Sequence, residues 1–293
     1  MFPASFEYVP AHSLDEAVAA LAKHGADARI LAGGQSLIPA MRYRLARPAV
    51  LVDINPIAEL DELREADGAL IIGAGVRDFA VEVSPLIKER YHLIADASMV
   101  IADPIVRQSG TVVGSLCHND PAGDWGVVAL ASRAEIVVRG KTGNRVVPID
   151  EFLVDSFTTA VAEGELAVEV RFPSPGERTS GSYQKIERKV GDFATAAAGV
   201  QLSLRADGTI EAAGVAIGAA GPKALRVTEA EHILVGARPS KELLRAAAAA
   251  AKEISNPVED TRGDVEFKRE MAAVLVHRAL VATLERLHGE VLR

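Results

Sequence analysis

The segment Leu31-Ala32-Gly33-Gly34-Gln35-Ser36-Leu37 restricts this chain more than any other, because it joins an apolar strand to a helical pattern through two adjacent glycines. Before it, Phe6 to Val9 reads as a short strand. Ser13 with Glu16 forms a capping box ahead of an Ala/Leu-rich helix that Gly25 ends, and Arg29 to Leu31 forms the next strand. After it come a helix through Arg44 and a strand at Val50 to Ile54, so the first part of the chain is a strand-helix-strand unit. Backbone N–H groups at such a turn can converge on a phosphate near a helix N-terminus, with glycine permitting the close approach. Taken alone, a Gly-Gly turn is more simply a tight strand-helix connection. It matches neither the Gly-x-Gly-x-x-Gly fingerprint nor the Walker pattern.

A second glycine turn, Ser109-Gly110-Thr111-Val112-Val113-Gly114-Ser115, adds hydroxyl donors suited to a diphosphate. Its plainer reading is a buried strand, Gly110 to Gly114, that the glycines merely punctuate. Between the two turns the pattern predicts a strand from Ala69, a helical stretch entered at Asp78 and a long helix from Leu86 through Val100. Beyond the second turn lies the loop Cys117-His118-Asn119-Asp120-Pro121-Ala122-Gly123-Asp124. A short helix and a hairpin of Ala134 to Arg139 with Val146-Val147 follow. The Pro/Ser/Gly stretch Phe172-Pro173-Ser174-Pro175-Gly176 places a domain boundary near residue 176. Past it, strands with turns at Asp207-Gly208 and Gly221-Pro222 precede helices from Val227, from Lys241 and from Val265 to the end, a small antiparallel sheet with helices.

Composition narrows the function. A formal net charge of -8 with a pI near 5.5 gives no basic footprint, which argues against nucleic acid or anionic membrane as the partner. No apolar run approaches the roughly 18 residues of a spanning helix and the N-terminus lacks a signal-peptide pattern, so a cytoplasmic location is expected. Cys117 is the one cysteine, which rules out an internal disulfide and an iron-sulfur cluster ligated by this chain alone. No nucleophile-elbow pattern supports acyl transfer. His118 with Asp120 and Asp124 reads as turn and cap contacts, and no metal site is assigned.

Taken together, Ala32-Gly33-Gly34-Gln35-Ser36-Leu37, Thr111-Val112-Val113-Gly114-Ser115, the segment His118 to Asp124, Tyr183 to Arg188 and Gly191-Asp192-Phe193-Ala194 resemble the FAD-binding medium subunit of the molybdenum hydroxylases. That family includes aerobic carbon monoxide dehydrogenase and the xanthine dehydrogenase relatives, and the resemblance covers nearly the whole chain. It implies an α+β protein: a two-lobed FAD-binding fold of the vanillyl-alcohol oxidase type over residues 1–176 (lobes about 1–55 and 56–176), then a C-terminal antiparallel sheet-and-helix domain over 177–293. It also implies that Ala32, Gly33, Gly34, Gln35 and Ser36, with Thr111, Val112, Val113, Gly114 and Ser115, cradle the FAD diphosphate. Asp124 would accept from FAD hydroxyl groups, Lys185 would lie near the flavin, and Phe193 would pack against its ring.

Two departures from the family pattern stand out. Val113 replaces a glycine, and a β-branched residue resists positive φ, so the second loop is expected to differ in shape. Gln35 stands where a histidine is common and offers no nucleophile for a covalent link, which implies non-covalent FAD. Without the resemblance, Asp124 would read as the cap of a helix beginning near Trp125, Lys185 as a solvated strand residue and Cys117 as an inert buried thiol.

The implied role is a relay from partner 2Fe-2S clusters through FAD to an external acceptor (quinone, oxygen or NAD). A large molybdopterin-bearing subunit and a small iron-sulfur subunit would complete a dimer of heterotrimers. Two other readings compete: a standalone FAD oxidase of the same fold, and a non-catalytic assembly subunit whose flavin site has degenerated.

Overall fold

A computed structural model describes residues 2–288, which form three successive larger sheets and one two-stranded sheet wrapped by helices. In the first layer β1 (Glu7–Pro10), α1 (Leu14–His24), β2 (Ala28–Leu31), α2 (Leu37–Arg42) and β3 (Val50–Asp53) build a parallel three-stranded sheet of order β1-β3-β2. The Ser13 half of the capping box forms, its Oγ accepting from the Glu16 N–H at 3.2 Å, while the Glu16 carboxylate reaches one residue further back, to the His12 N–H at 2.8 Å. Gly25 ends α1 with φ 53°.

The second layer is a five-stranded antiparallel sheet of order β4-β5-β10-β6-β7. It begins with β4 (Leu63–Ala66) and β5 (Ala69–Gly73), a hairpin whose turn residues Asp67 and Gly68 both have positive φ. The helices α3 (Asp78–Val83), α4 (Pro85–Arg90), α5 (His92–Val100), α6 (Pro104–Arg107), α7 (Val112–His118) and α8 (Asp124–Ala131) intervene before β6 (Glu135–Gly140) and β7 (Gly143–Pro148). A short α9 (Ile149–Phe152), the small hairpin β8 (Leu153–Asp155) and β9 (Thr158–Thr159), and β10 (Leu166–Pro173) close the unit. The long helix expected over Leu86 to Val100 is two helices. Tyr91 breaks it with ψ 61°, and its buried hydroxyl donates to Glu65 and lies 3.1 Å from Ser174 Oγ.

The third sheet, β11 (Thr179–Ile186), β12 (Ala196–Leu204), β13 (Ile210–Gly218) and β14 (Leu225–Arg226), is antiparallel and in sequence order. Alternation splits its two faces. Ala198, Val200, Leu202, Val215 and Ile217 pack into a core shared with α10 (Thr228–Leu234), α11 (Lys241–Ile254) and α12 (Val265–His288). The helix expected from Val265 to the chain's end is seen through His288, and residues 289–293 lie outside the described residues.

The opposite face carries Gly181, Gly199, Gly214 and Gly218 and lies against α5 and α8. A Cβ on Gly214 would stand 1.9 Å from the Ala131 carbonyl oxygen, so glycine here lets a helix lie directly on sheet backbone. On that same face Tyr183 and Lys185, two residues apart, point from β11 toward the start of α8. The α+β class expected from the sequence is the one observed.

Candidate functional site

The two glycine turns meet. A Cβ built on Gly33 would lie 2.2 Å from the carbonyl oxygen of Ser109 and 2.9 Å from Gly110 Cα, so the loops touch backbone to backbone. Gly34 has φ +71°, which starts the chain into α2. The N–H groups from Gly33 through Leu37 have no hydrogen-bond acceptor among the described residues, while Gly34 O already accepts from Ile38 N. A run of unspent neutral donors at a strand-to-helix turn is chemically matched to a dinucleotide diphosphate. Gln35 is exposed and Ser36 half-buried at the mouth of this turn.

The second loop is not a strand. Thr111 caps α7, its Oγ1 accepting from the Gly114 N–H at 3.1 Å, and Val112 and Val113 occupy the first helical turn with both side chains buried in the core. Val113 is absent from the residues of positive φ, so no left-handed conformation is asked of it. Valine is accommodated because a helix start needs only αR dihedrals and the side chain fills core space. Gly114 and Ser115 remain half-exposed. The hydroxyl of Thr111 is spent on its cap. Cys117 and His118 lie in α7 rather than in the loop, which begins at Asn119 in the left-handed conformation. Burial pushes the Cys117 thiol up to about 12, as suits an inert packing residue.

Asp124 does not cap α8: Gly123 holds that position, and Asp124 is the first helical residue. Its buried carboxylate accepts from Tyr183 Oη at 2.5 Å and from Lys185 Nζ at 3.2 Å. Burial holds the Asp124 carboxyl above its usual range, with the Lys185 charge and the Tyr183 hydrogen bond pulling the other way. Lys185 is not solvated. Its side chain is 3% exposed, and Nζ also lies 3.2 Å from Glu187 Oε2 and donates to Val100 O at 3.1 Å. Phe193 is half exposed on the loop between β11 and β12, with the Arg262 guanidinium 6.0 Å from its ring centre and 3.0 Å from Asp192.

Sequence reasoning missed Asp78, read there as no more than the entry to a helix. It is buried beneath the second loop, with Oδ1 accepting from Trp125 Nε1 at 3.0 Å, and a Cβ on Gly110 would stand 2.6 Å from its Oδ2. Burial raises its pKa to about 6, against the pull of the Trp125 hydrogen bond and the Arg107 charge.

The folded-state value exceeds the unfolded one, so the associated stability is present below about pH 4 and is lost as pH rises through about 6. At about 1.4 kcal/mol per pH unit, the ionised carboxylate costs the fold at most about 3 kcal/mol at pH 8. Asp78→Asn keeps an acceptor for Trp125. It is expected to unfold at higher urea than the parent at pH 8, with the gap closing toward pH 4; equal gaps at both pH values would disprove the assignment.

Comparison with known proteins places this geometry. The family model described as the FAD binding domain in molybdopterin dehydrogenase matches residues 4–175, and that of the CO dehydrogenase flavoprotein C-terminal domain matches residues 181–283. The chain is 40% identical to the carbon monoxide dehydrogenase medium chain of Hydrogenophaga pseudoflava, over 98% of this chain and 99% of that one. It is 32% identical to the caffeine dehydrogenase subunit beta of a Pseudomonas species, over 98% and 97%. A solved structure of carbon monoxide dehydrogenase from Hydrogenophaga pseudoflava superposes with a TM-score of 0.95 at 41% identity, covering 98% of this chain and 99% of that one.

Proposed function

Because this chain belongs to the family of FAD-binding subunits of molybdopterin dehydrogenases, we propose that it is the flavin subunit of a carbon monoxide dehydrogenase-like complex, relaying electrons to an external acceptor. The observation that carries this reading is the contact between the two glycine loops, which leaves the N–H groups from Gly33 to Leu37 free in one cradle.

Bound FAD supplies the two-electron chemistry, and the protein supplies binding and orientation. Ala32 to Ser36, with the Ser115 hydroxyl, offer donors to the diphosphate, and Gly114, whose N–H is spent on the Thr111 cap, leaves room for its approach; Thr111, Val112 and Val113 hold the second loop in place from the core. Asp124 and Lys185 form a buried charged pair that sets the polarity beside the cofactor. Gln35 leaves the flavin non-covalent. A division near residue 176 is supported by the gap between the two matched spans, 4–175 and 181–283.

Partner subunits carrying 2Fe-2S clusters and the molybdopterin cofactor complete the enzyme in this reading, as a dimer of heterotrimers in the cytoplasm with a quinone, oxygen or NAD as acceptor. One cysteine in the chain accords with clusters held elsewhere. No described helix is long and apolar enough to cross a membrane. A standalone oxidase would need a substrate chamber against the third sheet, yet one face of that sheet is filled by α10 to α12 and the other by α5 and α8.

The test is reconstitution with FAD, co-purification with the products of neighbouring genes, and a dithionite titration. Acid-releasable, reducible FAD at one per chain within a molybdenum and iron-sulfur complex is the expected result. A chain that binds no FAD, alone or in the complex, would sink the proposal.

A further inference from the structure

One guanidinium ties the two glycine loops together. Arg77, half-buried between β5 and α3, donates from Nη1 to Ser109 O at 2.9 Å and from Nη2 to Asn55 Oδ1 at 2.6 Å. Asn55 passes the connection on, donating from Nδ2 to Ala32 O at 3.1 Å. The Asn55 side chain is itself oriented by Asp53, whose Oδ1 accepts from Asn55 Nδ2 at 2.5 Å and from the Asn55 N–H at 2.9 Å, and whose Oδ2 accepts from Tyr8 Oη. Next to Arg77, the Asp78 N–H donates to Gly110 O at 2.8 Å, and Arg77 pairs with Thr111 as an isolated antiparallel bridge. Loop two is thus held at Ser109, Gly110 and Thr111 by the consecutive residues Arg77 and Asp78, and loop one is tied to Arg77 at Ala32 through Asn55.

Arg77 has no direct carboxylate partner among the described residues, although its charge is felt by the neighbouring Asp78 carboxyl. Both of its acceptors are neutral, and among the described residues its guanidinium makes no ion pair within 4.0 Å. Asp78, its neighbour in sequence, turns its carboxylate to Trp125. A half-buried arginine bonded only to neutral acceptors, at the junction of two loops that otherwise offer neutral donors, puts a guanidinium charge beside the place where a polyanion is to be held.

We propose that Arg77 is the positioning and charge-supplying residue of the diphosphate cradle, fixing loop one to loop two through Asn55 and attracting the diphosphate of a flavin dinucleotide. This rests on the FAD reading above.

The experiment measures dissociation constants for FAD and for riboflavin, which lacks the diphosphate, on the full chain freed of flavin. Measurements are made at about 0.01 M ionic strength and at about 1 M, where charges are screened beyond about 3 Å. For Arg77→Gln the FAD constant is expected to rise about tenfold to a hundredfold at low salt, with the gap narrowing at high salt and riboflavin binding unchanged. Arg77→Lys, which keeps the charge but not the paired geometry, is expected to recover the salt-sensitive part. Asn55→Ala weakens FAD equally at both salt concentrations, since it removes geometry alone.

A parent chain that binds FAD while Arg77→Gln binds it as tightly would overturn the proposal. So would equal losses for FAD and riboflavin with no salt dependence in both Arg77 variants, which would mark a merely structural arginine. A parent chain that binds neither ligand defeats the FAD reading itself.

Discussion

Gly33→Ala is expected to yield a folded chain that no longer retains FAD, with a dissociation constant raised about a hundredfold or more. The added methyl would sit 2.2 Å from Ser109 O and 2.9 Å from Gly110 Cα, and both are backbone atoms that cannot rotate away as a side chain would. Relief requires the two loops to part. Parting them breaks the bonds from Arg77 to Ser109 O and from Asn55 to Ala32 O, and it disperses the N–H groups from Gly33 to Leu37 that the cradle gathers.

Two or three hydrogen bonds to a ligand, each worth about 1 to 1.5 kcal/mol, account for a factor of that size. Gly68→Ala is the control. At φ +75°, with nothing within 4 Å of the added carbon, it strains a distant hairpin turn by about 1 to 2 kcal/mol and should leave flavin binding untouched. Equilibrium dialysis of flavin-freed protein gives the answer, and a Gly33→Ala chain that purifies with one FAD would show that the loop-to-loop contact is dispensable.

The same contact explains how much of the site was legible in the sequence. Each glycine turn announces itself through local chemistry, so the strand, turn and helix around Gly33 were expected where they occur, as was the cap at Ser13. That the two turns touch is a fact of tertiary packing between residues more than seventy positions apart, and no local pattern encodes it. The second turn was misread because Gly110 and Gly114 flank two valines, a run that fits a buried strand as well as a buried helix start, and the core environment decides between them.

Lys185 was legible only halfway. Alternation places it on the same strand face as Tyr183, but whether that face meets water or a helix depends on α8, which arrives from sixty residues upstream. Asp78 and Arg77 went unnoticed for a related reason: an Arg-Asp pair before a helix looks like a polar entry, and its burial comes from the second loop folding over it.

Glycines on the third sheet extend that argument from the site to the scaffold. Gly181, Gly199, Gly214 and Gly218 lie scattered along the sequence, yet they form one smooth face that lets α5 and α8 settle against backbone. This close approach brings the first residue of α8, Asp124, within reach of β11. A larger side chain at Gly218, whose Cβ would meet Val127 at 2.6 Å, would lift that helix and with it the carboxylate. The charged pair of the site therefore depends on residues that carry no charge.

Lys185→Met is expected to cost about 3 to 5 kcal/mol of folding stability at pH 8, the cost typical of removing one partner from a buried ion pair. Nζ, on a side chain 3% exposed, is the cation shared by Asp124 Oδ2 and Glu187 Oε2, each at 3.2 Å, and among the described residues Glu187 Oε2 has no hydrogen-bond partner. Methionine fills similar volume but leaves the buried Asp124 carboxylate and the partly buried Glu187 carboxylate without their shared cation. Asp124, already held above its usual range by burial, would be pushed higher still once the Lys185 charge is gone. A folded-state pKa raised above the unfolded value destabilises the fold at high pH and releases that cost as pH falls through it, so the deficit should shrink measurably between pH 8 and pH 5. Adding Asp124→Asn to Lys185→Met should recover part of the loss, and the non-additivity in urea unfolding measures the coupling. If Lys185→Met instead unfolds at the parent's midpoint but releases its flavin, the lysine is held in place for the cofactor and the fold does not depend on its charge.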